Sequence, residues 1–199
     1  MGEIAVVLGG ARSGKSRHAE RLAADSGAPV VYVATATPDD DEMAERIARH
    51  RAARPAGWRT IEAPYDLELR LGEAVPDGAC VLIDCLSVWL SNEMLRQLAG
   101  TEIDVTVPAA LANAAEREIS ERVERLVGWA AARPGQTIVV SNEVGSGLVP
   151  PYPVGRLYRD LLGRANQLVA ARAGAVYLIV AGIAVDLRRL AAAPPDGAP

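Results

Sequence analysis

The chain has 199 residues, half of them apolar and 23% charged, with a formal net charge of −4 and a pI near 5.3. That size and composition suit one globular domain with a full core. The acidic balance argues against general nucleic-acid binding, so any anion must be held by a local cluster. No apolar run approaches the ~20 residues of a membrane span, and the N-terminus lacks the basic segment of a signal peptide; a cytoplasmic location is expected.

In chain order, short β-branched runs alternate with helical patterns. IAVVL (4–8) precedes a helix over about 14–25, and VVYVA (30–34) precedes a second helix. Thr37 would cap that helix, with Pro38 in its first turn, Asp39 to Asp41 complementing its dipole and Pro55 ending it. WRTIE (58–62) predicts a short third strand and ACVLID (79–84) a buried fourth, followed by helical periodicity in CLSVWLSNEMLRQL (85–98). Residues 100–108 read as a surface connection to a long helix over 108–132. TIVVSNE (137–143), a helix over 155–173, AVYLIVAG (175–182) and a last strand at 183–187 complete the series. Apolar, non-alternating strands separated by helices predict an α/β fold whose mostly parallel sheet is covered on both faces. The last strand follows too closely for a crossover helix and is predicted antiparallel. One domain over 1–187 is expected, without internal repeats; the small, proline-rich 188–199 reads as a disordered tail. Cys80 and Cys85 are the only cysteines and match no metal or redox spacing, so they read as buried, reduced thiols.

GGARSGKS, comprising Gly9, Gly10, Ala11, Arg12, Ser13, Gly14, Lys15 and Ser16, fits G-x-x-x-x-G-K-[ST] between a strand and a helix. Glycines there let the backbone wrap an anion with its amides pointing inward. Lys15 would reach the β- and γ-phosphates of a nucleotide, and the Ser16 hydroxyl would ligate Mg²⁺. Lys15 is also the only lysine among 21 basic residues, in a chain that otherwise uses arginine for positive charge. A compact ammonium on a flexible stem is what that slot requires. This makes the fold a P-loop NTPase. Asp84, closing the fourth strand, reads either as the metal's carboxylate or as a helix N-cap, roles that do not exclude one another. Ala34, Thr35 and Ala36, then Glu62, then Asn142 and Glu143 end other strands at the same carboxyl edge, where open parallel sheets bind ligands.

The second helix carries His50, one of two histidines, among Arg46, Arg49, Arg51 and Arg54. At about 100° per residue, Met43, Ile47, His50 and Arg54 fall within one narrow arc, placing His50 on the face turned to the protein. By residue chemistry alone, it is either a helix-surface side chain making one hydrogen bond or a nucleophile whose arginine neighbours would neutralise a phosphate. His18, on the phosphate-loop helix, has no comparable surroundings.

GGARSGKSRHAE, DDEMAERIARHRAARPAGWRTIE, LIDCLSVWLSN, SNEVGSGLVP and GRLYRDLLGRANQ together resemble the bifunctional adenosylcobinamide kinase/adenosylcobinamide-phosphate guanylyltransferases of cobalamin biosynthesis, in order from about Ile4 to Leu187. The resemblance implies a RecA-like three-layer fold and two reactions on a corrinoid substrate. Adenosylcobinamide is phosphorylated by ATP or GTP; GTP then gives GMP to His50, which passes it to adenosylcobinamide phosphate. It carries nucleotide contacts onto Gly9 to Ser16, Ala34 to Ala36, Arg51, Ala52, Ala53, Arg54, Glu62 and Asp84, and it implies a homotrimer. Catalytic roles fall to His50 and Lys15; Ser16 is the predicted metal ligand, joined by Asp84 on the residue reading alone. Two rival classes are a P-loop metabolite kinase without a guanylyl step and a nucleotide-binding switch that transfers nothing. Asn142 to Pro150 receive no role from the resemblance.

Overall fold

A computed structural model describes residues 2–38, 40–100 and 106–191. Its elements are β1 (Glu3–Gly9), α1 (Lys15–Asp25), β2 (Val30–Ala34), α2 (Asp41–Ala53), β3 (Arg59–Glu62), α3 (Leu67–Ala74) and β4 (Cys80–Asp84). They continue with α4 (Leu86–Gln97), α5 (Ala109–Ala132), β5 (Gln136–Asn142), α6 (Pro153–Arg172), β6 (Ala175–Val180), β7 (Ile183–Asp186) and α7 (Leu187–Leu190). The strands form one sheet in the order β3-β2-β4-β5-β1-β6-β7, parallel except for the β6–β7 pair. That pair is a hairpin whose two-residue turn, Ala181 and Gly182, has positive φ at both positions (51° and 81°), matching the twist of the strands.

Continuous burial along β1, β2 and β4 reflects cover on both faces. One layer joins Ile4, Val6, Leu8, Val81 and Ile83 to side chains of α3, α4, α5 and α6, including Trp89, Ile119 and Leu162. The opposite layer joins Ala5, Val7, Tyr32, Leu82 and Val140 to Ala19 and Ala23 of α1. None of the described side chains of α2 belongs to either layer. Cys80 and Cys85 are free and buried, and burial pushes both thiols up, which keeps them protonated.

Three details depart from the sequence reading. The cap of α2 is Asp40, whose carboxylate accepts from the Met43 amide at 2.7 Å, rather than Thr37. Asp40 is extended (φ −145°, ψ 171°), the geometry an N-cap needs; Asp39 lies outside the described residues. Helix α3 fills a stretch given no element from the sequence. Leu67, Leu69 and Leu71 alternate as a strand would, but Leu67 and Leu71 are fully buried one turn apart while Leu69 is exposed. Residues 188–190, read from the sequence as part of the tail, belong to α7, which Asp186 caps by accepting from the amides of Arg188 and Arg189. Residues 192–199, and 101–105 of the predicted surface connection, lie outside the described residues.

Candidate functional site

The phosphate loop runs from the end of β1 to the start of α1. Ser13 N donates to the Gly10 carbonyl (3.3 Å), Lys15 Nζ donates to the same oxygen (3.2 Å), and Gly182 N of the β6–β7 turn donates to the Ser13 carbonyl (2.8 Å). Arg12 and Gly14 have φ of 56° and 96°, alternating the backbone's hand so that successive amides converge on one concavity. A Cβ on Gly9 would lie 2.5 Å from Ser13 Oγ and 2.8 Å from the Ile179 carbonyl oxygen, so only glycine fits there. No side chain caps α1, so its first amides are left without a side-chain acceptor, as an anion site requires.

Asp84 joins this loop to the neighbouring strands. Ser16 Oγ lies 3.4 Å from one of its carboxylate oxygens, and the Tyr32 hydroxyl donates to the other at 2.7 Å. Burial, then the Asp84 charge, pushes the Tyr32 phenol far up, so it is a fixed donor. Burial and Asp84 also push up the Glu20 carboxyl of α1, against the pull of Arg54. The Arg54 guanidinium stacks 3.8 Å over the Tyr32 ring, whose other neighbour is Trp58 at 6.4 Å. Arg54 also donates to Thr60 Oγ1 at 3.3 Å, while its buried Nε has no partner. One hydroxyl and one carboxylate are hard oxygen donors of the kind Mg²⁺ takes together with phosphate oxygens.

Helix α2 closes a second part of the edge. Arg51 pairs with Glu62 at 2.6 Å, and both line a cleft of about 410 Å³ with Ala36, Thr37, Ile47 and Pro64. Met43, Ile47, His50 and Arg54 are the half-buried stripe the periodicity placed on one arc. His50 sits on it between Ile47, which lines the cleft, and Arg54, which reaches Tyr32. Ala52 is exposed in the helix's last turn, beside Ala53.

The sheet therefore gathers Gly9 to Ser16, Asp84 and Arg54 in one cluster, with Ala36, Arg51 and Glu62 in the adjoining cleft. Ala34 is buried at the end of β2, and Thr35 turns inward: its hydroxyl accepts from Cys85 N and donates to Cys85 O, both at 2.8 Å. His18 packs edge-on against Tyr177 at 5.1 Å, and burial, then Arg21, lowers its pKa. Tyr32, Trp58 and Glu20 were not singled out from the sequence. Tyr32 could have been: it is the one residue of VVYVA with a polar tip, two positions before the strand's end.

The loop, its Ser–Asp pair and the strand order define a P-loop nucleotide-binding protein of RecA-like architecture. The fold matches that of a prototypical ATPase from the type III secretion system of pathogenic bacteria, with a TM-score of 0.56 at 11% identity over 93% of this chain and 56% of that one. The chain belongs to the cobinamide kinase/cobinamide phosphate guanyltransferase family, whose model matches residues 5–187. It is 44% identical to the bifunctional adenosylcobalamin biosynthesis protein CobP of Pseudomonas aeruginosa, over 92% of this chain and 96% of that one. It is 41% and 38% identical to the CobU proteins of Salmonella typhimurium and Escherichia coli, covering 92% of this chain and 98% of each. It is a bifunctional kinase and guanylyltransferase of cobalamin biosynthesis. No described helix is long and apolar enough to cross a membrane.

Proposed function

We propose that both reactions run at this one edge, the kinase step through the phosphate loop and the guanylyl step through a covalent intermediate on His50. The observation that carries the reading is Arg54. It follows the helix that bears His50, yet its guanidinium lies on Tyr32, which holds Asp84. A histidine on a detached basic helix would need no such tie.

In the kinase step, the amides of Gly9 to Ser16 and the Lys15 ammonium hold the triphosphate of ATP or GTP. The aminopropanol hydroxyl of adenosylcobinamide forms a bond to the γ-phosphorus, the β–γ bridge breaks, and the nucleoside diphosphate leaves. Ser16 and Asp84 would hold Mg²⁺, which supplies neutralisation of phosphate charge when bound. Tyr32 keeps the carboxylate aimed. In the guanylyl step an imidazole nitrogen of His50 bonds to the α-phosphorus of GTP and pyrophosphate departs. A phosphate oxygen of adenosylcobinamide phosphate then attacks the same phosphorus and releases His50, giving adenosylcobinamide-GDP. Splitting one displacement between two bulky partners into two easier ones is what a covalent nucleophile offers. Arg51, Arg54 and Glu62, with the backbone at Ala34 to Ala36 and at Ala52 and Ala53, contact the nucleotide. The enzyme works in the cytoplasm as a homotrimer; Leu148, Val149 and Tyr152, apolar and exposed beside the sheet edge, are the kind of surface an assembly covers.

Incubation with Mg²⁺ and GTP labelled at the α-phosphate is expected to leave one GMP per site, whereas γ-label leaves none. The bond should be lost in mild acid and survive in base, as a phosphorus–nitrogen bond does. His50→Ala should abolish the label and guanylyl transfer while leaving most kinase activity. An acid-labile GMP adduct on His50→Ala would place the nucleophile elsewhere.

A further inference from the structure

Strand β5 lies directly between β1, which feeds the phosphate loop, and β4, which ends in Asp84. Its last residue, Asn142, is in register with Gly9, two positions beyond Val140, the partner of Asp84. Side chains alternate along a strand. Ile138 and Val140 pack in the layer that contains α1, as does Leu82 of β4. Asn142 and Asp84, each two residues further on, therefore share the face from which the phosphate-loop helix rises.

The end of β5 is pinned from two sides. Asn166 of α6 donates to the Asn142 carbonyl at 3.0 Å, and Glu143 N donates to the Gly9 carbonyl at 3.2 Å. The Asn142 side-chain oxygen, by contrast, is buried without a donor. A buried amide carbonyl left unpaired is costly, and at the mouth of a ligand site the missing donor is expected to come from the ligand. A triphosphate offers this oxygen nothing, because it is itself an acceptor. A hydroxyl approaching the γ-phosphorus offers the O–H that the amide oxygen lacks.

We infer that Asn142 holds the attacking hydroxyl in the kinase step: its Oδ1 accepts the hydroxyl's hydrogen bond and sets the oxygen in line with the γ-phosphorus. Asn142 takes no proton. The hydroxyl oxygen bonds to phosphorus, the β–γ bridging oxygen leaves with its electron pair on the diphosphate, and the proton passes to an oxygen of the transferred phosphoryl group. The inference rests on the kinase reading above. It makes a distinction within that reading, because forming the GMP adduct on His50 involves no hydroxyl and should not need Asn142.

Asn142→Ala and Asn142→Leu are to be compared with the unaltered protein in three assays: phosphorylation of adenosylcobinamide by ATP, release of phosphate from ATP to water, and GMP-adduct formation. A 1 Å misplacement of reacting atoms costs roughly 10²-fold, and kcat for phosphorylation should fall by about that factor. The KM for ATP should change less than about threefold, the ratio of hydrolysis to transfer should rise, and GMP-adduct formation should persist, which also reports an intact fold. Asn166→Ala, which removes only the donor to the Asn142 backbone, should lose far less kinase activity than Asn142→Ala. Kinase kcat within threefold of the unaltered protein would overturn the inference. So would a rise in ATP KM at constant kcat, or equal loss of the kinase and adduct reactions. If the unaltered protein forms the GMP adduct but phosphorylates no adenosylcobinamide, the kinase reading fails first and the role of Asn142 falls with it.

Discussion

Two groups of charges in this molecule look alike in composition and behave in opposite ways. Under α3, Arg122 reaches Asp66 (2.9 Å), Glu118 (3.2 Å), Glu93 (3.4 Å) and Glu68 (3.5 Å), while Arg96 pairs with Asp66 and Glu93, and Arg125 with Glu68. Glu93 is fully buried, and it also accepts from the Asp66 amide. Every charge there faces an opposite charge within the chain, although Oε2 of Glu68 is itself buried without a hydrogen bond. At the sheet edge, Arg54 leaves Nε buried and unpartnered, and so do Ser13 Oγ and Asn142 Oδ1. Charges that answer one another hold a fold together; buried polar atoms left unanswered at an open edge are where a ligand completes the set.

Breaking the first group should cost stability and spare chemistry. Arg122→Ala leaves Glu93 buried with only Arg96 against it, so the loss should fall below the roughly 3–5 kcal/mol that a wholly unpaired buried charge costs. Urea denaturation should show that loss, with kcat at low temperature nearly unchanged in the folded fraction. Retained stability would mean that Arg96 and the Asp66 amide suffice to hold the buried Glu93.

Breaking the second should do the reverse. Lys15→Ala removes a charge from the triphosphate and should lower both the kinase and GMP-adduct rates by roughly 10²–10³-fold, on the scale of one lost oxyanion-type contact. Its urea midpoint should shift far less than that of Arg122→Ala, since Lys15 Nζ donates to the Gly10 carbonyl of the loop itself. Full kinase activity in Lys15→Ala would remove the loop from the mechanism. Tyr32→Phe is a smaller perturbation of the same edge. It frees one oxygen of Asp84, the carboxylate proposed to hold Mg²⁺, without removing that carboxylate, and partners of that kind typically change metal affinity about 10–100-fold. The Mg²⁺ concentration giving half-maximal adduct formation should rise accordingly, and Mn²⁺ titration of the nucleotide complex should show the same weakening without turnover. An unchanged metal requirement would leave Tyr32 with a packing role only.

Legibility in the sequence divided along the same line. The phosphate loop, the parallel strands and the arc of Met43, Ile47, His50 and Arg54 were readable, because each rests on local spacing: a glycine pattern, an apolar run, a helical period. The closing antiparallel strand was readable because a two-residue connection leaves no room for a crossover. Helix α3 was not, since three leucines at alternate positions carry the period of a strand, and tertiary burial of two of them decides otherwise. The Tyr32–Asp84 and Arg54–Tyr32 contacts were not readable either. They join residues 52 and 22 positions apart, and they depend on β2 lying beside β4, which no local pattern encodes. Asp84 itself stands out in the sequence by its place at a strand end, and the Tyr32 donor to its carboxylate comes only with the sheet order.

The smallest effect sharpens the comparison from the acid side. The Arg96 hydrogen bond to Asp66, then that of Arg122, holds the Asp66 carboxyl below the usual carboxylate range. A carboxyl depressed in the folded state stabilises it above the unfolded pKa of about 3.9, and that contribution disappears as pH falls through the lower folded value. Asp66 is partly exposed, so screening keeps its share small, about 0.2–1 kcal/mol as for other solvent-facing pairs. Asp66 sits at φ 48°, a left-handed conformation that asparagine also tolerates, so Asp66→Asn changes the charge without straining the backbone. The urea midpoint of Asp66→Asn should therefore lie slightly below that of the unaltered protein at pH 7, and the two curves should converge as pH drops below about 3.9. Kinase and adduct rates at pH 7 should not move. Parallel midpoint curves across the whole range would mean that Arg96 and Arg122 gain nothing from this carboxylate, and the network would then rest on Glu93, Glu68 and Glu118.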